Sequence, residues 1–328
     1  MGLLFFGPVS IILCMLPEDL LWKYIGLDRA GELRLPLLGS CEFKITQPCD
    51  LNDPFEVKPF VLIDQYSAED WVIARRRARE SGMFMKEPSD DNVERLFLST
   101  IPARRFDEKS SPTLWPARIP ELREEPFQTI AEVDEFRARK LRDKVEQLLN
   151  ETIGIFSMTE DPEQLVMWTH YAAEHRGIAV GFDRAHPSFQ SAGLLARVEY
   201  ADSRIPISSV GGFIRVAGHE FKEGKPLPVE TLLRKHPAWD YEREWRLIVP
   251  LSRATATESE ADGITIYLFR FQEEAIRALI VGARVTREKA IEIRQRLSAT
   301  GRWTHLRVLH AQLSNERFTL EFEEVPTV

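Results

Sequence analysis

From Ile153 onward the chain is a succession of short apolar runs: "IGIFS", "IAVGF", "LARVEY", "REWRLIVP", "ITIYLFRF", "ALIVGA" and "THLRVLHAQL". Runs of this length, rich in β-branched and aromatic residues and bounded by polar or glycine-bearing turns, are strand signals. "RFTLEFEEV" closes a hairpin over "SNE". Two helical patterns fall between them. In "EDPEQLVMWTHYAAEHRG", Asp161 is placed as N-cap, Pro162 at the first helical position and Gln164 to close a capping box, with Gly177 as a left-handed stop. The other is "TREKAIEIRQRLSA". Many strands with few intervening helices predict an α+β fold with a strand-rich, mostly antiparallel body.

The first half reads differently. "LLWKYIGL" is a strand, and a loop-rich passage follows that ends in "PCDLNDPFE". Ser67 caps a helix through "AEDWVIARRRARES" that Gly82 stops, and residues 110–126 form a proline-rich loop. "TIAEVDEFRARKLRDKVEQLLN" then aligns Ile130, Val133, Phe136, Leu141, Val145 and Leu148 on one stripe of an amphipathic helix. These signals predict a single elaborated domain over 1–328 with a helical insertion at 64–150.

Composition narrows the function classes. The 328 residues carry a formal net charge of -8, so there is no global basic field to attract nucleic acid or an anionic membrane. Arg75, Arg76, Arg77 and Arg79 form a local basic patch that Glu69, Asp70 and Glu80 flank, which reads as a solvated helix face. Cys14, Cys41 and Cys49 show no metal or disulfide spacing, which suits a reducing, cytoplasmic setting. The apolar start, residues 1–16, is interrupted by Gly7-Pro8 and is shorter than the roughly 18–20 residues of a membrane span. It is read as a buried strand or tail, or as an extension ahead of the domain's start, with a membrane anchor the lesser alternative and no stable membrane insertion expected.

Three stretches carry candidate chemistry. In "MWTHYAAEHRGIAVGFD", a 3.6-residue period puts Trp168, Tyr171, Ala172 and His175 on one face, with His170 and Glu174 beside it. The zinc spacing H-E-x-x-H is absent. Ser157 and Thr159 precede this helix, at a strand end where hydroxyls can orient a ligand. In "WDYEREWRLIVP", an extended chain would point Glu242, Glu244 and Arg246 to one side. Carboxylates so close raise one another's pKa unless a cation intervenes, and Arg246 or Lys235 is a candidate. "NDPFE" is a turn in which Phe55 is expected to plug the core and Asn52 or Asp53 to serve either the turn or a site.

These stretches together, "KYIG", "LNDPFE", "IFSMT", "MWTHYAAEHRGIAVGFD", "VEY" and "YEREWRLI", resemble a widespread bacterial family known as a domain of unknown function. More distantly the chain is similar to mono-ADP-ribosyltransferases. Those enzymes use a first strand that contacts NAD, a Ser/Thr strand end followed by a helix, and a Glu-x-Glu strand. The similarity implies an ADP-ribosyltransferase-like fold with NAD as substrate, and either ADP-ribosyl transfer or NAD hydrolysis, as in a toxin-like or phage-defence effector. Glu244 then stabilises the developing oxocarbenium-like ribose, and Glu242 orients or deprotonates the accepting nucleophile. Tyr171 stacks on nicotinamide and Ser157 holds the ribose. Lys23 meets the phosphates where such enzymes place Arg or His. Tyr24, Thr159, Trp168 and His170 complete the implied cofactor contacts. The partner is a nucleotide-like small molecule, with a protein or nucleic acid as acceptor.

Two other readings of the same residues stand beside this one. Asp53, Glu242, Glu244 and His170 are the types from which a metal-dependent nuclease or hydrolase is built. Alternatively, the aromatic helix and the acidic strand bind a ligand or partner without catalysis.

Overall fold

The computed structural model describes residues 19–62, 130–208, 227–259 and 265–326. The expectations for residues 1–16, for the helix after Ser67 with its arginines and for the proline-rich loop lie outside the described residues. The strands are β1 (Leu20–Ile25), β2 (Glu42–Ile45), β3 (Phe60–Leu62), β4 (Ile153–Thr159), β5 (Ile178–Asp183), β6 (Leu194–Arg197), β7 (Glu199–Tyr200), β8 (Pro206–Ser208), β9 (Arg234–Lys235), β10 (Glu244–Pro250), β11 (Ala256–Ser259), β12 (Thr265–Arg270), β13 (Ile276–Val281), β14 (Arg307–Leu313) and β15 (Leu320–Glu324).

Eight of them build one sheet in the order β15-β14-β13-β5-β1-β4-β10-β6. Its pairs are antiparallel except β13 with β14, which run parallel and are joined by the helix Arg287–Ala299. The fold is therefore α+β with a strand-rich, mostly antiparallel sheet. A smaller sheet, β11-β12-β2, lies in the same compact unit, which comprises Met1–Glu56, Asn150–Ser203 and Leu233–Val328. Val57–Leu149 and Arg204–Leu232 form a second unit. Its described part holds the parallel pair β3 and β8 and most of the helix Ile130–Thr152, on which Ala138, Val145 and Leu149 are buried.

The sheet buries apolar residues in two clusters. In one, Phe43, Phe156, Phe182, Phe189 and Phe271 interlock, with ring centroids 4.9 Å apart for Phe156 and Phe271 and 5.0 Å for Phe182 and Phe271. In the other, Trp22 and Tyr24 of β1 pack with Met167 and Trp168 of the helix Leu165–Tyr171. Alternation along β1 separates the two, since Leu21 and Ile25 join the first cluster and Leu20, Trp22 and Tyr24 the second.

Two local expectations change. The aromatic helix starts at Leu165, capped by Gln164, and ends at Tyr171 rather than Arg176. Asp161 instead makes a turn, its Oδ1 accepting from Glu163 N at 2.9 Å. After the helix Ala173, Glu174 and His175 adopt φ of 47°, 55° and 69°, a conformation that costs roughly 1–2 kcal/mol per non-glycine residue. The turn is held from outside. Arg284 N donates to His175 O and Gly282 N to Gly177 O, each at 3.0 Å, and the His175 ring stacks on Trp168. Gly177 is not left-handed; a Cβ there would sit 2.2 Å from Ile25 O, so close approach to β1 is what requires glycine.

The acidic stretch is not extended from Trp239 either. Pro237–Glu242 is a 3-10 turn capped by His236, whose Nδ1 accepts from Ala238 N at 3.1 Å. Arg243 then turns left-handed, φ 43°, and β10 begins only at Glu244.

Candidate functional site

β1 and β5 stay in register over six residue pairs, and β4 and β10 over seven. Between β1 and β4 there is a single register pair, Trp22 with Thr159. The strands part beyond it, and the ammonium of Lys23 spans the gap, donating to Ser157 O at 3.0 Å with Phe156 beneath it at 5.0 Å. A cavity of about 220 Å³ opens at this parting. Its walls come from Trp22, Lys23 and Tyr24 of β1, Ser157 and Met158 of β4, and Met167 and Tyr171 of the short helix. Asn52 and Glu56 of the turn, Lys235 of β9, and Glu242 with Glu244 at the entry to β10 also line it.

The floor is a buried ion network. Arg246 holds Glu244 with two bonds, Nε to Oε1 at 2.8 Å and Nη2 to Oε2 at 2.9 Å, and bonds Glu56 Oε2 at 2.8 Å. Lys235 Nζ lies 2.5 Å from Glu242 Oε2, 2.6 Å from Glu56 Oε1 and 3.3 Å from Glu244 Oε2. Its approach to Glu56 is an ion pair rather than an aligned hydrogen bond. All five side chains are almost wholly buried. Burying charge is unfavourable unless it is paired and bonded, and here three carboxylates share two cations.

Local backbone chemistry delivers these groups. Asp53 Oδ1 accepts from Phe55 N at 2.9 Å, and Glu56 N bonds Asp53 O at 3.1 Å, a turn that carries Glu56 inward. The left-handed Arg243 lets Glu242, ahead of the strand, and Glu244, at its first residue, reach the same ammonium. Tyr200 of β7 fixes the start of β10, its hydroxyl accepting from Glu244 N at 2.9 Å.

Electrostatics follow from this packing. Burial alone would raise the Glu244 carboxyl, but Arg246 and Lys235 outweigh it and hold the group down at about 2. Burial pushes Glu56 above the ordinary carboxylate range despite the same two cations. Lys235 is disfavoured by burial yet raised above an ordinary lysine by Glu244, Glu56 and Glu242. Among the described residues Lys23 has no carboxylate partner at ion-pair distance, and desolvation lowers it to about 8. The Tyr171 hydroxyl is raised by burial and by Glu242, to which it donates at 2.7 Å while accepting from Asn52 Nδ2 at 2.7 Å.

Of the nine residues to which the resemblance gives catalytic or cofactor roles, Glu242, Glu244, Tyr171, Lys23, Tyr24 and Ser157 line this one cavity. Three do not. Thr159 is fully buried, its Oγ1 accepting from Asp161 N at 3.0 Å. Trp168 is a core residue whose Nε1 donates to Pro162 O at 2.7 Å and whose ring meets Tyr24 edge-on. His170 points outward at the end of the short helix. A metal centre built from Asp53, Glu242, Glu244 and His170 does not assemble, because Lys235 and Arg246 occupy the glutamates. Among the described residues no cluster of three or more His, Cys, Asp or Glu side chains is arranged for a metal.

Phe55, expected in the core, is 64% exposed, and Glu56 takes the inward position. Glu56 is the principal residue that sequence reasoning missed. Its signal was the acid that ends "NDPFE", inward once the Asx turn at Asp53 is drawn.

Residues 167–247 match the model of a family described as a protein of unknown function (DUF2971). That span takes in Tyr171, Lys235, Glu242, Glu244 and Arg246 and leaves out Lys23 and Ser157. No curated protein and no solved structure matches the chain. Among the described residues no helix is long and apolar enough to cross a membrane.

Proposed function

We propose that this cavity cleaves the nicotinamide–ribose bond of NAD and passes the ADP-ribosyl group to an acceptor or to water. One observation carries the reading. The three strands that the ADP-ribosyltransferase resemblance singles out, β1, β4 and β10, are neighbours in the sheet, and Lys23, Ser157 and Glu244 on them face one cavity with Tyr171.

The residues divide the work as follows. Tyr171, Met167 and Trp22 flank the nicotinamide, and Ser157 holds the ribose. Lys23, still mostly protonated at neutral pH, meets the phosphates as a point charge. The cavity is smaller than the roughly 300–1,000 Å³ of a drug-sized site, which fits one end of a dinucleotide rather than the whole. As the glycosidic bond breaks, its electron pair leaves with nicotinamide and positive charge develops at the ribose carbon. Glu244 faces that charge as a carboxylate that is fixed in place and ionised in advance, so it stabilises the transition state more than the ground state. The nucleophile's lone pair closes on the same carbon, and its proton goes to Glu242.

Incubation with NAD and chromatographic detection of nicotinamide tests the assignment. Turnover is expected in the wild type and is expected to fall by about 10²–10³-fold in Glu244→Gln, the range for losing one preorganised electrostatic group. Absence of nicotinamide release, or full turnover by the variant, overturns it. A non-catalytic binding module is the second reading. It is favoured by the fact that Glu56, Glu242 and Glu244 are each already engaged by a cation, and it predicts NAD binding without turnover.

A further inference from the structure

We propose that Lys235 is a positioning residue of this cavity, an ammonium that holds Glu242 and Glu244 in a fixed mutual geometry. The kinetic part of this inference rests on the NAD reading; the geometric part does not.

Neutralisation alone does not account for Lys235. Arg246 already binds Glu244 through two bonds and Glu56 through one. A floor made of Glu56, Glu244 and Arg246, with apolar residues at positions 235 and 242, would bury one carboxylate and one ammonium fewer. Each such ion carries a desolvation penalty that apolar side chains of similar volume avoid. What the extra pair adds is a connection. Lys235 Nζ stands 2.5 Å from Glu242 and 3.3 Å from Glu244, and its ammonium lies 4.8 Å from the Trp239 ring centroid.

Glu242 needs such a connection because the sheet does not place it. It ends a 3-10 turn, and the left-handed Arg243 separates it from β10. Two side-chain contacts orient its carboxylate instead, Lys235 on Oε2 and the Tyr171 hydroxyl on Oε1. Glu244, by contrast, is set by the strand and by Arg246. Lys235 ties the loosely placed carboxylate to the firmly placed one, across a short distance at which they would otherwise repel. A second effect follows, because Lys235 is one of the two cations that hold the Glu244 carboxyl down.

Steady-state nicotinamide release by the wild type, Lys235→Met and Lys235→Arg tests the proposal, with 13C NMR of the glutamate carboxyls on the same proteins. Lys235→Met keeps most of the volume and removes the charge. Its kcat is expected to fall on the order of 10²-fold, the scale of a misplaced catalytic group, with KM for NAD little changed. The acid limb of its pH profile and the Glu244 carboxyl titration should both move to higher pH. Lys235→Arg should restore most of kcat and return both to lower pH. A folded Lys235→Met with wild-type kcat and an unmoved Glu244 titration overturns the proposal, as does a folded Lys235→Arg no more active than Lys235→Met. If the wild type releases no nicotinamide, the NAD reading has failed and the geometry alone decides: a crystal structure of Lys235→Met in which the Glu242 carboxylate has left the Tyr171 hydroxyl supports the positioning role, and an unmoved carboxylate overturns it. If Lys235→Met does not fold, the wild type decides through its Lys235 ammonium protons. Slow exchange with water is expected of an ammonium shared among three carboxylates, and fast exchange overturns the inference.

Discussion

Strand β10 passes through two kinds of interior within seven residues. Glu244 and Arg246 on one face are as thoroughly buried as Leu247 and Val249 on the other. The apolar face joins the phenylalanine cluster, where stabilisation is non-directional and grows with area at about 25 cal/mol per Å². The charged face depends on bonds of defined length to named partners. A core of Phe156, Phe182 and Phe271 absorbs shape changes by repacking. An ion network cannot, since a missing partner leaves a charge with neither water nor counter-ion. A fold that needed only stability would have made the second face apolar as well. The costlier interior is found where the sheet parts and a cavity opens.

The sharpest way to break this contrast is to remove Arg246. Arg246→Met leaves Glu244 and Glu56 buried with Lys235 as their remaining cation, and is expected to destabilise by about 3–5 kcal/mol in denaturant titration. Phe156→Leu, a change in the apolar interior that largely conserves volume, should cost less than about 1.5 kcal/mol. Removing the dependent charges along with the arginine, as in Glu56→Gln/Glu244→Gln/Arg246→Met, should recover most of the loss. If Arg246→Met is no worse than Phe156→Leu, or if the triple variant is worse than the single one, the two interiors do not differ as argued.

Acid offers a milder probe of the same contrast. Glu244 has a folded pKa of about 2 against an ordinary value of 4.5. The native state therefore binds fewer protons than the unfolded chain between those values, and stability falls as pH drops through that window. The stabilisation is fully present above about pH 5. Glu56 is shifted upward and works in the opposite direction, so the net slope is shallower than Glu244 alone would give. Thermal melts from pH 6 to pH 3 should show the wild type losing stability more steeply than Glu244→Gln. Parallel curves would mean that the network does not hold that carboxyl down.

The same contrast explains what the sequence disclosed. Strand runs such as "IAVGF" and "ALIVGA" announce themselves because burial on both faces needs unbroken apolar residues, and both lie in the middle of the sheet as β5 and β13. Glu242, Glu244 and Tyr171 were legible as chemistry because such residues are unusual beside apolar strands. Their arrangement was not legible. It depends on Arg243 turning left-handed, on a two-residue strand that positions Lys235, and on the Asp53 turn that exposes Phe55 and buries Glu56. None of these leaves a periodic trace, because each is settled by a single dihedral, by a pairing of only two residues or by a turn bond between near neighbours. The early end of the aromatic helix belongs with them, since the left-handed turn that follows it is held by Arg284 N on His175 O and Gly282 N on Gly177 O.

Tyr171 packs against the Trp22 and Trp168 cluster while its hydroxyl joins the ion network, and removing that hydroxyl is expected to have a modest effect on stability. In Tyr171→Phe the ring stays, so its packing and any stacking on a bound ring are kept. Asn52, which is exposed, exchanges its bond for water. Glu242 loses a donor at 2.7 Å but keeps Lys235 at 2.5 Å. The loss is therefore one hydrogen bond to a carboxylate that remains paired, about 1.5 kcal/mol for a charged acceptor, visible as a small shift in the unfolding midpoint. Turnover should suffer more than stability, and in kcat rather than KM, because the hydroxyl orients Glu242 while the ring contacts the substrate. A variant whose KM for NAD rises with kcat unchanged would place the hydroxyl on the ligand instead, and Glu242 would then be oriented by the ion network alone.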